Sequence, residues 1–203
     1  MQKKSLVLLM MLLAVSSCSN REKEASEEKA VEADHQAVTE AQLASARQTV
    51  KSFGSQLKQA LLQGLGEGGP SQALAVCQDL APKIATGISD QTGWHVARTS
   101  LKTRNPGNTP DPWERKVLEQ FETDRTEGKN PVDMEYYEIV VADGQRSLRY
   151  MKAIPTGRLC LQCHGSDLDP ATSAKIEELY PEDRATRFAE GDIRGAFSLQ
   201  RPL

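Results

Sequence analysis

Glu135-Tyr136-Tyr137-Glu138-Ile139-Val140-Val141-Ala142 is followed by Asp143-Gly144 and then by Gln145-Arg146-Ser147-Leu148-Arg149-Tyr150-Met151-Lys152-Ala153-Ile154. Two strand-like runs, the first rich in β-branched and aromatic residues, thus flank an Asp-Gly pair. Asp-Gly suits the tight turn whose twist matches paired strands, so 135–154 reads as an antiparallel hairpin. A hairpin alone is marginal in water and needs more strands and a covering layer. Trp94 to Leu101 supplies a strand upstream, and Asp192 to Gln200 one downstream. Between them, Lys102-Thr103-Arg104-Asn105-Pro106-Gly107-Asn108-Thr109-Pro110-Asp111-Pro112 is turn chemistry throughout. A helix opens at Asp111 or Pro112 and runs through Glu127, with Trp113, Val117, Leu118 and Phe121 on its apolar side. Asp169 to Leu179 reads as a further short helix. An antiparallel sheet flanked by helices is an α+β fold.

The N-terminal part has a different period. Leu43, Ala46, Val50, Phe53, Leu57 and Ala60 recur at spacings of three and four, which predicts a long helix of about 25 residues. Its apolar face can pack on the domain's own core or form the seam of a homodimer; three heptads is short for a coiled coil. Gly64-Leu65-Gly66-Glu67-Gly68-Gly69-Pro70 is expected to stop it. Ser71 is the expected N-cap of a second helix through about Ile88, with Leu74, Cys77, Leu80, Ile84 and Ile88 on one face and Pro82 kinking or ending it.

Residues 1–17 read as a signal peptide: Lys3 and Lys4, then an apolar run from Leu6 to Val15 too short to span a bilayer. Val15-Ser16-Ser17-Cys18 resembles the lipobox of bacterial lipoproteins, which makes Cys18 the expected lipidation site. Several acyl chains on one residue anchor firmly. The expected location is the cell envelope, membrane-anchored and facing the periplasm. Ser19, in place of Asp, is compatible with the outer membrane of a Gram-negative cell. Residues 18–36 are charged and poor in large apolar side chains, so they are expected to form a tether. The folded domain is then 37–203.

Composition narrows the classes. Among 203 residues, 38% are apolar, 26% charged and 5% aromatic, with a formal net charge of −3. That is too polar for a multi-span membrane protein, and there is no basic excess to favour nucleic acid.

Cys160-Leu161-Gln162-Cys163-His164 carries the chemistry. Cys-x-x-Cys-His is the attachment motif of haem c: two thiols one turn apart reach two vinyl groups, and the adjacent His binds iron. A thioredoxin-type pair would need a βαβ context, and a structural zinc site four ligands; neither pattern is present. A structural disulfide would leave His164 without a role. One covalent haem, held by Cys160 and Cys163 with His164 on the iron, is expected. For the opposite face of the iron the candidates are Met134, Met151, His35, His95 and Cys77. The methionines and His95 suit strand packing, and His35 falls in the tether. Cys77 is the odd thiol in an oxidising compartment; from spacing alone it is equally an inert cysteine on an apolar face. Arg98 and Arg104 are candidate partners for the haem carboxylates. Trp94 and Trp113 suit core packing, and Asn105, Asn108 and Glu114 suit loop fixing.

These runs together resemble one family. Ala75-Val76-Cys77 with Ala81-Pro82, Arg98-Thr99-Ser100-Leu101-Lys102, the block from Arg104 to Glu114, Cys160 to Gly165, and Asp192 to Ser198 are similar to a bacterial PAS-like c-type haem domain. The resemblance spans about residues 40 to 200. It implies a PAS-like antiparallel sheet, and it implies His164 and a Cys77 thiolate as the two axial ligands. Members occur alone or as the sensor part of histidine kinases. This sequence shows neither a kinase nor a transmembrane helix, so a signal is expected to leave through a redox or signalling protein partner. With both iron positions filled and no catalytic His/Arg pair, enzyme activity is not expected. The expected function is a redox or small-gas sensor; the alternative is an electron carrier serving a membrane or periplasmic oxidoreductase.

Overall fold

The α1 helix, Glu40–Thr92, opens on a reciprocal cap: Gln42 N–H donates to the Thr39 hydroxyl while the Thr39 N–H donates to the Gln42 side chain. Such a cap contributes about 1 kcal/mol. The structure, a computed structural model, describes residues 37–203. The expected signal peptide, Cys18, the tether and His35 lie outside the described residues.

The helix does not stop at Gly64. It breaks only at Gly68 (φ −166°, ψ 24°) and Gly69 (φ 71°, ψ −162°), which divide it into arms 40–67 and 70–92. Gly64 serves a different purpose: a Cβ there would lie 2.8 Å from the Ala73 Cα, so its bare backbone lets the second arm pack onto the first. Pro70, not a residue after Ser71, takes the first position of the second arm, where its missing N–H costs nothing. The Ser71 hydroxyl instead faces the Ala171 carbonyl at 3.5 Å. Nor does Pro82 end the helix. Pro82 and Gln78 are both exposed, so water can take the Gln78 carbonyl that Pro82 leaves unbonded. Leu80 is 37% exposed, and Ala81 takes its place on the buried face.

Four strands form one antiparallel sheet: β1 (His95–Thr99), β2 (Glu135–Ala142), β3 (Gln145–Pro155) and β4 (Ile193–Pro202), in the order β1-β4-β3-β2. The hairpin pairs Ala142 with Gln145 across Asp143-Gly144, as the sequence predicts. On one face, Leu43, Ala46, Val50 and Phe53 of α1 meet Trp94, Val96, Leu148, Tyr150 and Leu199. The heptad-like face of α1 is thus occupied by its own domain's core. On the other face, α2 (Pro112–Thr126) lays Val117, Leu118 and Phe121 against Met134, Met151, Ala153 and Ala196. Asp111 and Glu114 cap α2 reciprocally. Two short helices complete the chain, α3 (Leu161–His164) and α4 (Pro170–Leu179). The architecture is a PAS-like α+β fold with a long N-terminal helix. Among the described residues, no helix is long and apolar enough to cross a membrane.

Candidate functional site

The site forms where β1 ends and β4 begins. Gly195 makes that approach work: its φ is 154°, and a Cβ there would overlap the Thr99 carbonyl. Ser100 then donates to the Arg194 carbonyl at 2.8 Å, tying the loop after β1 to the start of β4.

The Cys-x-x-Cys-His motif arrives from β3 through a tight turn, Arg158–Cys160, that runs directly into α3. Cys160 and Cys163 are therefore one helical turn apart and share a side. Both are free and half-buried. Three bonds fix the turn from outside. Arg104 Nη2 donates to the Cys163 carbonyl at 2.6 Å, the Phe188 N–H donates to the His164 carbonyl at 2.9 Å, and the Arg187 N–H donates to the Gly165 carbonyl at 3.0 Å.

His164 has a defined tautomer. Its Nδ1 lies 2.6 Å from the Ala185 carbonyl, an oxygen that can only accept, so Nδ1 carries the proton. Nε2 is left with its lone pair, which is the state a metal ligand needs. Burial, and then the charges of Arg194 and Arg104, hold the ring well below its ordinary pKa, so it is neutral.

Cys77 comes from the second arm of α1, more than eighty positions away in the chain. That arm rests on α4, with Gln78 Nε2 3.4 Å from the Leu179 carbonyl. Burial pushes the Cys163 thiol up, Arg104 pulls it down, and the charge of Cys77 pushes it further up, which places Cys77 within electrostatic reach of Cys163. Burial pushes the Cys77 thiol up, while Arg98 and Arg104 pull it down. The structure therefore gathers Cys77, Cys163, Arg98 and Arg104 into one neighbourhood.

The two arginines differ. Arg104 is 8% exposed and its fork is occupied: Nε and Nη2 grip Asp183 at 3.1 and 3.2 Å, and Nη2 also reaches the Cys163 and Ala185 carbonyls. Its side chain clamps the motif. Arg98 makes no ion pair among the described residues, and burial lowers its pKa. The other iron-ligand candidates lie elsewhere. Met134 and Met151 are core residues under α2, and His95 is exposed. Trp94 is buried under α1 with its Nε1 donating to Ser45 Oγ at 3.1 Å. Trp113 lies beneath the Arg149 guanidinium at 4.2 Å. Asn105 accepts from the Gly107 N–H, a loop-fixing role.

Sequence reasoning missed Arg194, Asp183, Ala185 and Phe188. Three of them lie in 183–188, an irregular strap with no periodicity to mark it. Arg194 stands inside the quoted Asp192–Ser198 run, but nothing in the pattern gave it a task. Among the described residues, no three His, Cys, Asp or Glu side chains are grouped to hold a bare metal ion.

A family model described as Tll0287-like matches residues 3–202 of this chain. No curated protein matches it. Among solved structures, the crystal structure of the cyanobacterial heme-protein Tll0287 matches with a TM-score of 0.60 and 26% identity, over 81% of this chain and 97% of that one.

Proposed function

The chain belongs to the Tll0287-like family, and from that premise we propose that it binds one haem c, covalently through Cys160 and Cys163, and uses it to sense redox state or a small gas. Similarity to a cyanobacterial heme-protein supports haem binding. The observation that carries the reading to these residues is the His164–Ala185 bond, which protonates Nδ1 and frees Nε2 beside a cysteine pair one turn apart. The residues present fit the group: the two free thiols of the motif, one neutral imidazole, a third thiol at Cys77, and Arg98, which has no carboxylate partner among the described residues. Bound haem would supply an iron that takes up or gives one electron and can hold a small gas.

The chain's own residues supply the rest. The Arg104 clamp and the Phe188 and Arg187 N–H groups hold the motif rigid. Cys77, the proposed second axial ligand, stands instead on an arm that begins at the Gly68-Gly69 break. With haem bound, His164 would sit on the fixed turn and Cys77 on the second arm of α1, so release of Cys77 would act on a helix. That asymmetry favours the sensor over the electron carrier. The envelope location, the lipid anchor at Cys18 and a protein partner that receives the signal belong to the same proposal. So does a homodimer, which would need a surface other than the buried face of α1.

The test is optical spectroscopy of the matured protein in both oxidation states, with and without CO. A thiolate signature that disappears on reduction, followed by CO binding, supports the sensor. Unchanged ligation in both states without CO binding supports the carrier. Loss of the thiolate signature in Cys77→Ala assigns the ligand.

A further inference from the structure

Arg194 stands at the start of β4 and forms no ion pair among the described residues. Its Nη1 donates to Ser100 Oγ at 3.2 Å and to the Lys102 carbonyl at 3.3 Å. Its guanidinium lies 5.3 Å from the centre of the Phe188 ring, and that ring meets His164 edge-on with centroids 6.2 Å apart. Its Nε is buried and has no hydrogen-bond partner. Arg98 and Arg104 share the neighbourhood, and the carboxylate of Asp183 is held by Arg104. Among the described residues, neither Arg194 nor Arg98 is in an ion pair.

Arg194 is half-buried with its Nε fully covered; partial desolvation of a cation without a paired counter-charge is costly, and a buried N–H without an acceptor adds to that cost. Such a group is kept where an anion comes to it. The unbonded edge of Arg194 is Nε with Nη2, two parallel donors in the geometry that takes a carboxylate through both oxygens. Phe188 contacts both groups and so links the Arg194 guanidinium to the side of the site that presents the histidine.

We infer that Arg194 binds a propionate carboxylate of the haem through its Nε–Nη2 edge, and so tunes the iron's potential from beside His164. The inference rests on the haem reading above. It goes beyond that reading by assigning a residue to the group's carboxylate end. A guanidinium there neutralises the carboxylate and favours the reduced iron, which carries one positive charge fewer.

The experiment uses the full chain matured with covalent haem: wild type, Arg194→Gln and Arg194→Lys. Midpoint potential and the propionate-bending band in the resonance Raman spectrum are read. Arg194→Gln is expected to keep its haem, shift the ferric/ferrous equilibrium about tenfold toward ferric, roughly 59 mV for one electron, and move the propionate band. Arg194→Lys keeps the charge but not the two-donor edge, so its potential returns toward wild type while the band still moves. An Arg194→Gln protein with unchanged potential and band overturns the inference. If that variant does not accumulate, Arg194→Lys decides alone: a moved band supports the inference and an unchanged band overturns it. A wild-type chain that takes up no haem is recognised before any variant is made; it overturns the preceding reading, and this inference falls with it.

Discussion

Arg104 donates a 2.6 Å hydrogen bond to the Cys163 carbonyl across 59 positions of sequence, while the rest of its fork holds Asp183. The loop after β1 and the Cys-x-x-Cys-His turn are joined through one guanidinium, and the 183–188 strap is held by the same group.

Removing that group strands a buried carboxylate. Arg104→Ala leaves Asp183, whose side chain is 8% exposed, without its partner. The expected loss is about 3–5 kcal/mol. Urea unfolding measures it. Arg104→Lys keeps a charge but cannot reproduce the two-pronged contact, so it is expected to fall between wild type and Ala.

Gly195 admits no side chain. Its φ of 154° lies outside what L-residues adopt, and a Cβ would overlap the Thr99 carbonyl. Backbone strain of this kind costs roughly 1–3 kcal/mol before any clash. Gly195→Ala is therefore expected to lower Tm clearly and to loosen the β1–β4 pairing beside the site. Hydrogen exchange at the β1 amides reads the second effect.

The first arm of α1 is a core element. Phe53 is 1% exposed and meets Phe197 edge-on at 5.5 Å. Phe53→Ala is expected to cost about 3–5 kcal/mol, whereas Leu62→Ser, at a position 48% exposed, stays within about 0.5 kcal/mol. Equal, small effects at both positions would contradict the packing described.

A pH signature follows from Glu135. Arg47 on α1 and Tyr150 on β3 both donate to its carboxylate, at 2.6 Å in their shortest contacts. The hydrogen bond from Arg47 leads in holding its pKa below the ordinary 4.5, against the opposing effect of burial. A depressed carboxylate pKa stabilises the fold above the unfolded-state value, and that contribution is lost as pH falls through the folded-state value. Wild type should exceed Glu135→Gln in stability at neutral pH, and the gap should close below about pH 4.5. A gap that stays constant down to acid would contradict the assignment.

Much of this was legible in the sequence because local signals agreed with the global fold. Asp143-Gly144 sits between two strand-like runs, and Asp111-Pro112 with Glu114 writes a helix start in three residues. The α1 break was less legible because glycine has two uses. Gly64 marks a close approach to Ala73, and only Gly68-Gly69 bends the chain. Pro82 misleads because its cost depends on exposure, which a one-dimensional pattern does not carry. In the site, Cys160, Cys163 and His164 were legible from spacing. The neighbourhood of Cys77 is built by the α1 arm resting on α4, and the Arg104 clamp by an irregular strap; neither has a local signature.

The proposed function turns on a single covalent haem at Cys160 and Cys163. A peroxidase-stained denaturing gel, with a pyridine haemochrome spectrum, tests it on protein produced in a host competent for cytochrome c maturation. One haem per chain that survives denaturation and is absent from Cys160→Ala/Cys163→Ala is expected. A wild-type chain that emerges without covalent haem from that host would contradict it.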